Sequence, residues 1–249
     1  MPRIIVSLPI HPILFMAYLF IVLPLMLISQ FIVVKVFVYL GLGLTSGIIL
    51  SFTMFYLSLL LSPFNIVLKE LRTGTYTVRY ETQYILFYGI PIPVIGRRIV
   101  ENKILVTLNI GGALIPLIIS LVMFYGLLLN APTIIPSVLG ALLVTALVTY
   151  VVTKPIPGVG IAVPMFIPPA VAVLASLVLV GPSRLLAPAA YIAGTLGSLI
   201  GADVLRFMKD KEKFIDMLGP SVVSIGGAGT FDGIYLSGLL AMILAFIVA

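Results

Sequence analysis

The sequence contains no cysteine, a single histidine and only eight acidic residues among its 249 positions. Without cysteine the chain cannot form disulfides, thiolate nucleophiles or cysteine metal sites, and His11 cannot build a metal cluster by itself. Charged residues make up 9% of the chain, against roughly a quarter in an ordinary soluble domain. These absences argue against a soluble catalytic domain, and we expect neither a metal nor a cofactor.

Hydrophobic residues are abundant: they make up 61% of the chain, and the mean hydropathy is +1.30. Apolar stretches of about twenty residues, enough to cross roughly 30 Å of hydrocarbon, recur through the sequence. This pattern predicts an all-α, polytopic membrane bundle that forms one integral domain over residues 1–249. The predicted transmembrane helices are 9–30, 37–62, 104–128, 134–153, 158–180, 185–205 and 231–249.

The basic residues test this seven-helix topology. Twelve of the fourteen lysines and arginines fall on one side of the predicted membrane, and only Lys35 and Arg184 fall on the other. Excess Lys and Arg mark cytoplasmic segments. We therefore predict a plasma-membrane protein with a cytoplasmic N-terminus and an external C-terminus. Since the basic residues lie between the spans, we expect no nucleic-acid partner.

Two cytoplasmic segments carry further signals. Residues 74–95 alternate roughly with a two-residue period, at Tyr76, Val78 and Tyr80, and predict a short β-hairpin against the membrane surface. The second segment ends in glycines, including Gly226, Gly227 and Gly229, just before the last predicted helix. Irregular backbone at that depth must be buried in protein or line a wet cavity.

Predicted spans three and five open with similar sequences. Residues 112–116 read GALIP and residues 160–164 read GIAVP, which hints at an internal repeat. One interpretation is a pair of proline-kinked helices that pack through glycine. The other is a pair of broken helices whose freed backbone groups contact a ligand, as in transporters.

Two of the eight acids, Asp203 and Asp232, lie at helix ends rather than in charged loops. Ionisable groups within a membrane are costly and are functional by default. The topology puts both on the same side, on consecutive antiparallel helices, where two facing carboxyls would share a proton. The structural alternatives are an ion pair between Asp203 and Arg206, and a helix N-cap at Asp232.

The segment GTFDGIYLSG, residues 229–238, resembles the second active-site motif of the GxGD-type intramembrane aspartyl proteases, which include presenilin, signal peptide peptidase and the prepilin peptidases. Gly229 and Asp232 match the first glycine and the aspartate of that motif, while Phe231 stands where the family has glycine. Asp203 resembles the first catalytic aspartate, at the end of the preceding helix. The chain is also similar to a prokaryotic membrane-protein family known only as a domain of unknown function.

The resemblance implies a diaspartyl protease that cleaves transmembrane or membrane-proximal peptide segments within the lipid bilayer. Asp203 and Asp232 would be catalytic. The substrate would be bound by Gly226, Gly227, Gly229, Thr230 and Tyr235. Two alternatives remain open. The first is a proton-coupled transporter or channel that uses the same aspartates, with Asn109, Gly112 and Pro164 around a central site. The second is a non-catalytic membrane scaffold. The oligomeric state is left open.

Overall fold

The computed structural model describes residues 3–6, 12–87, 90–156, 160–209, 222–227 and 233–249. In these residues the protein is mostly helical, with an additional small sheet. The α-helices are α1 (Pro12–Tyr39), α2 (Leu44–Leu61), α3 (Ile115–Asn130), α4 (Ile135–Val152), α5 (Ile167–Val180), α6 (Leu186–Ser198) and α7 (Gly233–Val248). The strands are β1 (Ile4–Val6), β2 (Phe64–Phe87), β3 (Ile90–Asn109), β4 (Lys154–Ile156), β5 (Gly160–Ala162) and β6 (Val222–Ile225).

Four of the described helical segments are long and apolar enough to cross a membrane: Leu44–Leu61, Ile110–Asn130, Pro132–Val152 and Leu186–Lys209. In three of these segments an α-helix is lengthened by a π-helix or a 3₁₀ turn. A π-helix, Ile110–Leu114, leads into α3, and a 3₁₀ turn, Pro132–Ile134, leads into α4. A second π-helix, Leu199–Leu205, prolongs α6. Shorter apolar helices cover Leu23–Tyr39, Ile167–Val180 and Gly233–Val248.

The helix boundaries follow proline and glycine. Pro116, Pro136 and Pro168 each lie in the first turn of a helix, where the missing N–H costs nothing. Gly181 ends α5 with φ +85°, a conformation that glycine adopts without steric cost. The predicted loop between spans one and two was wrong, because α1 continues through Lys35 and the turn comes only at Gly41, with φ +96°.

The predicted hairpin is present among the described residues, but it is much longer than residues 74–95 and belongs to a small sheet that the sequence did not predict. Strands β2 and β3 pair antiparallel from Asn65 opposite Asn109 to Phe87 opposite Ile90. Residues 104–109, predicted as the start of span three, are therefore strand. The cause is a continuous apolar run that suits a strand as well as a helix. The four-stranded sheet has the order β1-β2-β3-β6, and only the β3–β6 pair is parallel.

The proposed repeat between spans three and five finds no structural counterpart. In GALIP the first three residues belong to the π-helix before α3, whereas in GIAVP they form β5, which pairs with β4. Pro164 lies in the exposed segment before α5, and α5 begins only at Ile167. The two segments are thus not equivalent half-helices, although their letters match.

Helix α6 forms the centre of the bundle. Within Leu186–Lys209, 72% of the most apolar 18-residue stretch is buried, against 22% of Leu44–Leu61 at the periphery. Glycines on different sides of α6 allow close neighbours. A Cβ at Gly194 would meet the Ser237 carbonyl of α7 at 3.1 Å, whereas one at Gly197 would meet the Ala146 nitrogen of α4 at 3.2 Å. The central position of α6 brings its polar end against several elements at once.

Candidate functional site

Asp203 lies in the π-helix that prolongs α6, with a relative exposure of 9%. A π-turn inserts an extra residue into the helix and is frequent at functional sites. The Asp203 Oδ2 atom accepts a hydrogen bond of 2.7 Å from the backbone N–H of Gly226. This charge-assisted bond joins the end of α6 to the segment after β6, which lies 23 residues further along the chain.

The partner of Asp203 must be glycine for two reasons. Gly226 and Gly227 have φ values of +88° and +85°, in the left-handed region that disfavours other residues. A Cβ at Gly226 would also lie 2.8 Å from the Ala113 nitrogen and 3.0 Å from the Ala113 Cα. The turn after β6 is therefore pressed against the π-helix that opens α3.

Strand β6 is an edge strand in the part of the sheet that the structure describes. It pairs in parallel with β3, from Leu105 opposite Val222 to Leu108 opposite Ile225. Its other side has no neighbouring strand among the described residues. An open edge offers backbone N–H and C=O groups to an extended peptide. This edge ends next to the Asp203 carboxylate.

Asn109 fixes the junction between the sheet and α3. Its Nδ2 atom donates to the Ser62 carbonyl at 2.6 Å and to Asn65 Oδ1 at 3.2 Å, and it lies 3.5 Å from the Gly227 carbonyl. Its Oδ1 atom accepts from the Gly112 N–H at 2.6 Å. The side chain is 1% exposed. Asn109 thus ties the end of α2, the start of α3 and the turn after β6 together.

A hydroxyl pair lies on the other side of the site, where α6 packs against α7. The Ser198 and Ser237 Oγ atoms lie 3.0 Å apart, and Ser237 also donates to the Gly194 carbonyl at 3.2 Å. A Cβ at Gly238 would clash with Thr195 Oγ1, so the two helices are in close contact. This pair was not predicted from the sequence, although Ser237 lies within GTFDGIYLSG, because isolated serines are common in apolar helices.

The structure brings three of the predicted site residues into one region. Asp203 and Gly226 are in direct contact, and Gly227 follows at the same turn. Tyr235, a fourth predicted residue, is buried in the first turn of α7, where it hydrogen-bonds Gln30. Asp232, Gly229 and Thr230 lie outside the described residues. The Arg206 guanidinium carbon lies 5.8 Å from the Tyr150 ring centroid. The Asp203 carboxylate accepts its hydrogen bond from the Gly226 N–H.

Two further expectations from the sequence concern metal ligands and the site of the transporter alternative. Within the described ranges, no group of three or more His, Cys, Asp or Glu side chains could hold a metal ion. The transporter alternative placed Asn109, Gly112 and Pro164 around one central site. Asn109 and Gly112 are hydrogen-bonded to each other at the sheet junction, and Pro164 is exposed.

Chemically, the region offers a buried carboxylate, a left-handed glycine turn and a strand edge with no neighbouring strand among the described residues. A carboxylate there can exchange a proton with water or with a second acid. A strand edge can hold an extended peptide backbone.

Comparison with known proteins gives a family without an assigned activity. No curated protein and no solved structure matches the chain. A family model described as "Protein of unknown function (DUF1614)" matches residues 59–244, which include the hairpin, α6, Asp203, the glycine turn and most of α7. The chain therefore belongs to the DUF1614 family of proteins of unknown function.

Proposed function

We propose that the protein is a diaspartyl intramembrane protease, with Asp203 as one catalytic residue and Asp232 as the other. The observation that carries this proposal is the position of the buried Asp203 carboxylate at the open end of the β6 edge. A peptide bond can be hydrolysed by two carboxyl groups without metal, cysteine or histidine. The sequence supplies those two acids in consecutive helical segments.

Seven transmembrane helices, with a cytoplasmic N-terminus, form part of the proposal. The last turn of α1, the turn between α5 and α6, and the end of α7 meet at one end of the bundle. There the Arg184 guanidinium carbon lies 5.9 Å from the Tyr39 ring centroid. Arg206 and Lys209 both lie over Tyr150 at the other end. The positive-inside rule then makes the end that holds Asp203 cytoplasmic in the plasma membrane.

The expected place of Asp232 follows from the Ser198–Ser237 contact. Asp203 follows Ser198 by five positions, and Asp232 precedes Ser237 by five positions. Because α6 and α7 are antiparallel neighbours, equal steps from one contact lead to similar depth on the same side. Two carboxyls at that depth would hold one proton and one water between them.

The proposed reaction is hydrolysis of a peptide bond. The ionised carboxylate takes a proton from water, and the oxygen of that water bonds to the scissile carbonyl carbon. The protonated carboxyl gives its proton to the carbonyl oxygen. The carbon–nitrogen bond then breaks, the nitrogen takes a proton from the first carboxyl, and the hydroxyl proton returns to the second. The products are an amine and a carboxylic acid, and both aspartates regain their starting states.

The substrate would be a transmembrane segment unwound near its cytoplasmic end. The open edge of β6 can add one extended strand, since main-chain hydrogen bonds need no particular side chains. Gly226 and Gly227, with the neighbouring Gly229 and Thr230, would let the substrate backbone approach the carboxyls closely. Tyr235 is 4% exposed, which suits a side chain that shields the acids from lipid.

A second candidate is a proton-coupled transporter, favoured by polar side chains buried within the bundle. Ser51 Oγ donates to Gln30 Oε1 at 2.6 Å, and Gln30 Nε2 donates to the Met26 carbonyl at 3.0 Å. Gln30 also hydrogen-bonds Tyr235 of α7, the helix that carries Ser237. Hydroxyl and amide groups are thus hydrogen-bonded to one another inside the bundle, as the groups of a proton path would be.

Amide substitutions at the two acids test the proposal. Asp203→Asn keeps an oxygen that can accept from the Gly226 N–H, so the fold should persist, but it cannot exchange a proton. We expect Asp203→Asn, Asp232→Asn and the double variant each to abolish cleavage of a reporter transmembrane helix in proteoliposomes. The double variant should be no worse than either single, because the acids act as a unit.

Glu101→Gln is the matched control, since this acid lies in β3, away from Asp203, where its ion pair with Arg72 is long at 3.9 Å. It should leave cleavage unchanged. Full cleavage by either single aspartate variant would refute the protease. The transporter would be identified instead if the wild type took up protons without cleaving the reporter, and if the aspartate variants lost that proton uptake.

A further inference from the structure

A cavity of about 370 Å³ lies at the end of the bundle opposite to Asp203. It is formed by the last turns of α1, the turn before α6, and the end of α7. Its walls include Lys35, Arg184, Tyr39, Phe246, Val36 and Ala187. It is separate from the proposed protease site and makes no use of the two acids.

The charge distribution of the whole chain singles out this cavity. Lys35 and Arg184 are the two basic residues, out of fourteen, that the topology leaves on the external side. They are distant in sequence, yet both line the same cavity. Basic residues on the external side are exceptions to the positive-inside rule, which the other twelve basic residues follow. Their convergence on one cavity indicates a role that requires positive charge there.

Ala249, the last residue of the chain, also lines this cavity with its main-chain carboxylate, but no acidic side chain among the described residues does so. Glu70 and Glu101 lie in the sheet and Asp203 lies beside it, all at the other end of the bundle. Each cation rests on an aromatic ring instead. Lys35 Nζ lies 5.1 Å from the Phe246 ring centroid, and the Arg184 guanidinium carbon lies 5.9 Å from that of Tyr39. A cation–π contact holds a cation in place but leaves its charge available to an anion.

We propose that this cavity binds the phosphate group of an anionic phospholipid in the external leaflet. Arg184 can donate two parallel hydrogen bonds to phosphate oxygens, and Lys35 adds a second positive charge. Both cations are exposed at the end of apolar helices, at the depth where headgroup phosphates lie. Phe246 and Tyr39 are 43% and 44% exposed, so apolar surface continues from the cavity toward the acyl chains.

Lipid retention by the purified full chain tests this proposal. The delipidated protein is titrated with phosphatidylglycerol, and bound lipid is measured by native mass spectrometry. Lys35→Gln and Arg184→Gln should each weaken binding roughly fivefold, and the double variant roughly 25-fold, as expected for independent interfacial charges. Lys35→Arg, which keeps the charge, should bind like the wild type. Lys154→Gln, at the opposite end of the bundle, is the matched control and should change nothing.

Two further ligands identify the source of the phosphate. Zwitterionic phosphatidylcholine should bind more weakly than phosphatidylglycerol, because its choline offsets the phosphate charge. Soluble glycerol phosphate should not bind at comparable concentration; if it binds as well as the lipid, the site takes a free phosphate ester and the lipid source is wrong. Equal phosphatidylglycerol retention by the wild type and the double variant would overturn the proposal. So would an equal loss in Lys154→Gln.

Discussion

The glycine turn beside Asp203 gives the sharpest test of the site geometry. Gly226→Ala would place a side chain on a residue with φ +88°, which costs about 1–2 kcal/mol. The new Cβ would also press on the Ala113 backbone, 2.8 Å from its nitrogen, and overpacking of this kind costs about 1–3 kcal/mol. If the turn shifts to relieve that contact, the hydrogen bond to the buried Asp203 carboxylate is lost, which costs about 1–3 kcal/mol more.

The chain offers a matched control in Gly181. It has φ +85°, but a Cβ there would meet no atom within 4 Å. Gly181→Ala should therefore cost only the backbone strain of about 1–2 kcal/mol. The difference in unfolding free energy between the two variants therefore measures the contact with Ala113 and the hydrogen bond to Asp203.

Thermal unfolding in detergent can be followed by far-ultraviolet circular dichroism, since the chain has no tryptophan and is mostly helical. For a chain of this size, 1 kcal/mol shifts Tm by roughly 2–4 °C. Gly226→Ala should lower Tm by about 10 °C and Gly181→Ala by about 4 °C on that scale. Equal losses in the two variants would show that the turn does not press against α3, and the described site geometry would be wrong.

Three further predictions follow from contacts around the site and from the topology. Asn109→Asp replaces an amide donor with an acceptor opposite a buried carbonyl, and should lower the free energy of unfolding by about 1–3 kcal/mol in the same assay; a neutral result would contradict its role at the junction. In a double-mutant cycle, Ser198→Ala and Ser237→Ala should show a coupling of about 0.6 kcal/mol, whereas purely additive effects would argue against the hydroxyl contact. Reporter fusions after Ala249 and within 206–218 should report opposite sides of the membrane, and the same side for both would refute the seven-helix topology.

The helices were the most predictable part of the fold, because apolar runs of the required length leave few alternatives in a chain with so little charge. The end of α2 and both ends of α4 lie close to the predicted boundaries. The hairpin was only partly predictable. Its tip alternates with a two-residue period, but the inner part of β3, Ile104–Leu108, is mostly apolar and was taken for the start of a helix.

The site was predictable as a set of residues but not as a set of contacts. Asp203 and Gly226 stood out because a buried acid and clustered glycines are unusual in apolar sequence. Their hydrogen bond depends on the parallel pairing of β6 with β3, a long-range contact that no local periodicity encodes. The π-helix around Asp203, which packs against α4 and β6, was equally hidden from the sequence.

The pairing of β6 with β3 has a consequence for the order in which the protein is made. Leu105 pairs with Val222, so more than a hundred residues are synthesised between the two strands. At about 5–20 residues per second, β3 waits roughly 5 to 25 seconds for its partner. During that time Asp203 is also synthesised, 23 residues before the Gly226 N–H that it binds. The pocket around this acid is therefore completed only after β6 and its glycine turn have been made, more than a hundred residues after β3.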